Sequence, residues 1–303
     1  MEKIQRLDIK LCTAALALFG FVHAFAQPSL QPPYALNGAA LLEKHAALAK
    51  QLTQNQFGRP LFLQSSESLN SVSGDAYAVI DAPFNAVNTA LRSAQNWCDV
   101  LILHLNTKLC RVQAPGGQTA LAVSVGKKVN QPLKDAYAIE FAYTVAASTS
   151  DYLGVRLNAA HGPLGSHDYR INFEAVPIAG SKTFVHLRYS YGYGMAGRLA
   201  MQGYLGTIGG RKVGFSLAED QAASAARLVG GLRGAIERNT MRYYLAIDVY
   251  MASLKFSAEA RPEKSLQAWF DATEQYPRQL HEIDRTSYLT MKRAELKRQN
   301  SLQ

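Results

Sequence analysis

Aromatic side chains with polar tips recur at every second position along the middle of this sequence. Tyr137, Phe141 and Tyr143 share one parity, Tyr169 and Phe173 another, and Leu187, Tyr189 and Tyr191 a third. Val155 joins them from an intervening apolar alternation, and Tyr243 from a later helical stretch. Gathered on one face, these ten residues make an apolar wall carrying hydroxyls. Such a wall suits a ligand that is mostly hydrocarbon with a few polar atoms. The same side chains could instead fill a core; tyrosine rather than phenylalanine at so many positions favours the polar-tipped pocket.

Other candidates for chemistry are thinner. His186 and Arg188 alternate onto the opposite face of their stretch, together with Asp168, Arg170 and Glu174 of the preceding one. They could recognise an acidic group, but cross-strand charge pairing on a solvated or helix-covered face is the expected reading. His161 and His167 flank a glycine loop near Asp151 and Asp168, a conceivable metal or acid/base cluster. Arg233 and Glu237 stand four apart, as do Arg238 and Arg242, which repel unless an anion or carboxylate sits near them; a solvated helix face is expected, with a buried Arg238–Glu237–Asn239 polar cluster as the alternative. The run Gly206–Lys212 lacks the spacing and the following Ser or Thr of a phosphate loop. No G-x-S-x-G elbow or HExxH zinc motif occurs, so no catalytic residue, metal or cofactor is implied.

The amino terminus bears on where this chemistry would take place. Lys3, Arg6 and Lys10 precede an apolar run from Leu11 to Val22, and Ala24-Phe25-Ala26 follows. Those are the three parts of a secretory signal, with cleavage expected between Ala26 and Gln27. The run is shorter than the roughly 20 residues of a spanning helix. Cys12, behind Asp8-Ile9-Lys10-Leu11, leaves with the signal. A periplasmic or secreted protein is therefore expected. In an oxidising compartment the two remaining cysteines, Cys98 and Cys110, are expected to form a disulfide. Cleavage removes only one unit from the net charge of +9. Export argues against nucleic acid as the partner; the excess charge is spread out, much of it at Lys292-Arg293 and Lys297-Arg298, and the expected reading is a basic soluble protein with some attraction to an anionic membrane surface.

Several elements must position these residues. Asn37 caps an expected helix from Gly38 to Gln54, and Leu61–Leu63 reads as a strand before a polar turn, Gln64 to Gly74. Ala76–Asp81 reads as a strand, and Pro83 opens a helix to Ala94. Val100–Val112 and Thr119–Lys127 read as strands, followed by clean period-two alternations at 137–145, 153–157, 169–175 and 185–193. That repetition predicts an antiparallel sheet with one apolar face. Beyond it the pattern predicts a helix at Met195–Leu205 and a strand at Lys212–Leu217. A long helix from Ala222 to Phe256 follows, then helices at 263–275 and 279–300. Gly230, Gly231 and Gly234 would weaken the long helix unless it closely approaches the sheet.

The strand ending in Asp81-Ala82-Pro83-Phe84, the helix carrying Val87 and Leu91, and Trp97 after it resemble the opening of the START-related (SRPBCC, polyketide cyclase-like) superfamily. The resemblance covers about residues 75–256 and extends to the element order β–αα–β…β–α. It implies an α+β helix-grip fold: a curved antiparallel sheet wrapped around a long carboxy-terminal helix with a hydrophobic cavity between, here with extra amino- and carboxy-terminal helices. The expected organisation is a signal at 1–26, an extension with one helix at 27–74, the helix-grip domain at 75–256, and a helical extension at 257–303 packed on it. The expected function is binding of a hydrophobic or amphipathic small molecule, an envelope lipid being one candidate. Two alternatives stand beside it: a cyclase- or hydrolase-like enzyme using pocket tyrosines or His186, and an envelope interaction protein docking through Glu263–Asn300.

Overall fold

A computed structural model of the chain describes residues 37–194, 197–198, 203, 212–218 and 227–302. The signal segment, the proline-rich lead-in, most of the expected 195–205 helix and the start of the expected 222–256 helix lie outside the described residues.

Eight strands form one antiparallel sheet: β1 (Leu61–Glu67), β2 (Ser71–Ile80), β3 (Thr107–Gln113), β4 (Ala120–Val125), β5 (Tyr137–Ser148), β6 (Leu153–His161), β7 (Ser166–Ile178) and β8 (Lys182–Tyr193). Their order across the sheet is β1-β2-β8-β7-β6-β5-β4-β3. Successive strands from β3 to β8 therefore neighbour one another, as short hairpin connections dictate. The register places Val155 opposite Phe173, Phe173 opposite Leu187, and Ile171 opposite Tyr189, so the apolar parities coincide on one face.

Helices α1 (Gly38–Ala47) and α2 (Ala49–Thr53) cover the other face near β1, β7 and β8. Asn37 caps α1 through its side chain, and the single expected helix breaks at Leu48. Between β2 and β3 run α3 (Phe84–Leu91), with Pro83 as its cap, and α4 (Ala94–Leu101). The strand expected over 100–112 thus begins only at Thr107. Ser93 caps α4, and Trp97, Val100 and Leu101 recur at helical spacing, all buried. The Cys98–Cys110 disulfide joins α4 to β3 across a Cα–Cα distance of 5.1 Å. The polar stretch expected as a turn is mostly sheet: β1 runs on to Glu67, and the hairpin turns at Ser68–Asn70.

The long helix, α5, spans Gly231–Ser253 and packs on β1, β2 and β8. A Cβ at Gly74 of β2 would lie 2.4 Å from Thr240 Oγ1, so glycine there is what lets the helix seat against the sheet. Gly234 is a second close approach, but to Gly214 rather than to the sheet. Residues 212–218 form no strand beyond one bridge, Leu217 to Leu228. Helices α6 (Arg261–Glu274), α7 (Pro277–Leu280) and α8 (Arg285–Ser301) complete the described chain. The helix expected over 279–300 starts late, because Asp284 caps α8 by accepting from Ser287 N at 2.9 Å. None of the described helices is long and apolar enough to cross a membrane.

The last helix is integral to the fold. Tyr288, Lys292 and Glu295 of α8 are buried against β3 and the segment before it. Glu295 accepts from Lys108 Nζ at 3.0 Å and Lys292 Nζ at 2.5 Å, both lysines being wholly buried. Each ammonium completes its shell with main-chain oxygens: Leu105 and Val129 for Lys108, His104 and Thr107 for Lys292.

Candidate functional site

The inward face of the sheet and α5 bring most of the expected pocket residues together. Phe141, Val155, Phe173, Leu187, Tyr189 and Tyr191 are buried in the principal core, and Tyr143, Tyr169 and Tyr243 pack against it half-buried. Tyr137 does not join them. It is the first residue of β5, at the strand margin beyond the core, and is 52% exposed.

Five phenol rings form a connected aromatic group. Tyr169 stacks on Tyr191 at 5.2 Å, and Tyr189 meets Tyr243 edge to face at 5.2 Å and Tyr191 at 5.9 Å. Tyr193 extends the row from Tyr191 at 6.4 Å. These separations lie in the favourable range for aromatic pairs. Burial, then neighbouring phenols, raises the pKa of Tyr189 and Tyr191 far above ordinary; burial does the same to Tyr243. Burial alone pushes Tyr143 up to about 12. The hydroxyls are therefore neutral and can both donate and accept. Tyr169 bonds Ser166 Oγ at 2.8 Å, and Tyr193 donates to Ser68 O at 3.0 Å. The hydroxyls of Tyr189 and Tyr243 make no hydrogen bond to any described residue.

Sequence reasoning passed over the lower end of this group. His104 stacks on Tyr243 at 4.8 Å and is itself buried. Its Nδ1 accepts from Asn106 N at 3.2 Å. Burial, with Arg242, Lys128 and Lys292 nearby, holds it well below the usual histidine range, and so neutral. Arg238, Arg242 and Glu237 are buried too, not on the solvated face expected of them. Helix α5 is enclosed by the sheet on one side and by α6 and the 212–218 segment on the other, so its polar side chains must find internal partners. Arg242 reaches Glu282 Oε1 at 2.7 Å, and Lys128 reaches the same oxygen at 2.6 Å. Burial, then Arg242, lowers Lys128 to about 8. A cavity of about 10 Å³ lies beside Trp269 and Tyr288, no larger than one water and away from the phenols.

The opposite face carries a polar network under α1 and α2. His186 is held between Asp75 Oδ1 at 2.8 Å and Glu174 Oε2 at 3.1 Å, with Tyr77 stacked on its ring at 4.2 Å. Arg188 pairs with Asp75 at 3.0 Å, and Tyr152 donates to Glu174 at 2.7 Å. Glu174 and His186 are direct cross-strand partners, the charge pairing expected on a helix-covered face. Asp168 and Arg170 take no part. His186 therefore faces away from the phenols and cannot be the acid or base of a pocket among them. Nor do the loop histidines gather: His161 pairs across β6–β7 with His167, whose partner is Asp168 at 2.8 Å, while Asp151 bonds Thr149. Among the described residues no group of three or more His, Cys, Asp or Glu could hold a metal ion.

Burial pulls the pKa of His186 down, but hydrogen bonds and charge from Asp75 and Glu174 outweigh it, and the net shift is upward. A raised folded pKa means stabilisation fully present below the unfolded value of about 6.5 and lost as pH rises through the folded one. The His186 contribution to stability should therefore be lost as pH rises above 6.5, and thermal unfolding of His186→Gln against pH should lack that loss. An unchanged slope would place the titration elsewhere.

Two helices between the first core strand and the remaining strands, and one long helix after the last, complete the order β–αα–β…β–α on a single antiparallel sheet. The fold is a START-like helix grip. Solved structures similar to this chain include norcoclaurine synthase from Thalictrum flavum, at 13% identity and a TM-score of 0.32 over 49% of this chain and 82% of that one. Human StAR-related lipid transfer protein 5 matches at 9% and 0.30 over 51% and 82%. A conserved protein from Geobacillus kaustophilus matches at 12% and 0.33 over 61% and 95%. No protein-family model matches the chain, and no curated protein does.

Proposed function

We propose that this START-like protein is exported and binds a hydrophobic or amphipathic small molecule between its sheet and α5. The observation that carries this reading is the pair of Tyr189 and Tyr243 hydroxyls. They sit edge to face inside an apolar, helix-covered sheet, with no hydrogen-bond partner among the described residues. A polar ligand atom placed between the two would give both hydroxyls a partner. The basic lead segment with its Ala24-Phe25-Ala26 site supports export, and an envelope lipid is then an available ligand.

The test is native mass spectrometry with organic extraction of protein purified from the periplasm. A near-stoichiometric apolar molecule is expected, on a chain beginning at Gln27. Tyr189→Phe with Tyr243→Phe should keep the fold and lose most of that molecule. A bare mass that takes up nothing from an envelope lipid extract would overturn the binding reading. Retention of residues 1–26 would overturn the export reading.

A further inference from the structure

Among the described residues, the three most exposed large apolar side chains are Leu69 at 72%, Leu164 at 67% and Leu217 at 60%. All three lie at the same end of the sheet. Leu69 is in the β1–β2 turn, and Leu164 is in the turn between β6 and β7. Both turns border the last residue of β8, since Tyr193 N donates to Asn70 O at 2.9 Å and Tyr193 pairs with Ser166. Leu217 bridges Leu228 just before α5. The same segment is tied to β1 near that hairpin: Glu237 accepts from Ser216 N at 2.9 Å and from Ser65 Oγ at 2.6 Å.

Leu164 adds an independent mark. Its φ is +57°, the left-handed region that costs a non-glycine residue about 1–2 kcal/mol. A leucine held there with its side chain in solvent returns nothing to the fold, so its residue type serves a contact outside it. The surroundings fit a lipid surface. Tyr193 and Tyr169 stand just behind the two turns, packed in and against the core with their hydroxyls bonded at Ser68 and Ser166, and so hold both turns firmly in place. Arg198, close enough to Tyr193 to act on it electrostatically, and Arg227, beside Leu228, lie at the same end. Glu67 is also there, yet the whole chain carries +9.

We infer that this end of the molecule docks on an anionic lipid bilayer, with Leu69 and Leu164 entering the boundary between headgroups and acyl chains. Exposed leucine supplies insertion, and the basic chain supplies attraction to negative headgroups. The face is a shallow anchor rather than a span, so binding is reversible and weakens with salt. Tyr169 and Tyr191 lead from these turns into the interior, so docking and ligand uptake share one end.

The test is co-sedimentation of the protein purified from its producing cells with vesicles of phosphatidylglycerol and phosphatidylcholine, and of phosphatidylcholine alone. Binding to the anionic vesicles is expected, with affinity about tenfold lower for Leu69→Ser combined with Leu164→Ser. The double variant should melt like the parent, since both side chains are in solvent, and Leu302→Ser should bind like the parent. Equal binding by the double variant, or no binding by the parent, would overturn the inference. So would a dimer of the parent that the same pair of substitutions abolishes, because the leucines would then serve self-association. Uptake of a monomeric fluorescent fatty acid is measured in parallel. Its failure alone sinks the ligand reading and leaves the docking surface standing.

Discussion

Replacing Glu295 by alanine is expected to remove about 3–5 kcal/mol of stability, enough to unfold a large share of the molecules at 37 °C. The carboxylate lies between two ammonium groups that have no access to solvent, Lys108 and Lys292. Removing it leaves main-chain carbonyls as their surroundings, which solvate a cation but do not neutralise it. Burial, then the nearby Lys108, lowers Lys292, with Glu295 opposing, and the balance leaves it at about 8. A depressed basic group makes the folded state hold fewer protons than the unfolded one between that value and about 10.5, so stability should rise with pH across the interval. The alanine variant should therefore recover part of its loss above pH 9. Urea denaturation at pH 7 and pH 9.5 reads both effects. Replacing all three residues with Met, Leu and Met should restore near-parent stability, because what destabilises is the unpaired charge and not the absence of a salt bridge. A single alanine variant as stable as the parent would mean that water reaches these lysines.

Glu237→Ala is expected to cost nearly as much, about 3–5 kcal/mol. This wholly buried carboxylate accepts from the amides of Phe215 and Ser216 at 2.6 and 2.9 Å and from Ser65 Oγ at 2.6 Å. It thus joins α5, β1 and the 212–218 segment at one point. Alanine would strand two main-chain N–H groups in the interior. Glu237→Gln can keep its carbonyl on the amides and turn its NH₂ to Ser65, so about 1–2 kcal/mol is expected for it. Hydrogen exchange at Phe215 and Ser216 should quicken strongly in the alanine variant and mildly in the glutamine one. Equal effects from both would show that the charge, not the acceptor geometry, holds the junction.

The parts of the fold that could be read from the sequence are those where periodicity and burial coincide. Strands β5 to β8 alternate because one face meets the core, and Asp81-Ala82-Pro83-Phe84 marks the passage from β2 to α3 through proline's fixed geometry. Helix α4 was hidden because an apolar run from Trp97 to Leu105 satisfies a buried strand as well as a helix, and Ser93 is the one local sign that decides it. The second half of β1 was hidden because its side chains are serines, which pair across the hairpin, as Ser66 does with Ser73 at 2.8 Å. Nine of the ten residues expected on the wall lie in or against the core, eight of them from strand alternation and Tyr243 from the helix, while Tyr137 at the strand margin does not. The ionic interior around Arg242, Lys128 and Glu282 had no local signal, since those partners are up to 154 residues apart. Charge on a helix reads as solvent-facing until the enclosing elements are known.

The buried bridge from Lys108 to Glu295 closes a loop of 187 residues, so β3 gains its cover and Lys108 its counter-charge from a segment far along the sequence. Such an interior cannot be assembled hairpin by hairpin: the entropy of closing the loop is lost before the contact returns it, and a chain so wired folds slowly.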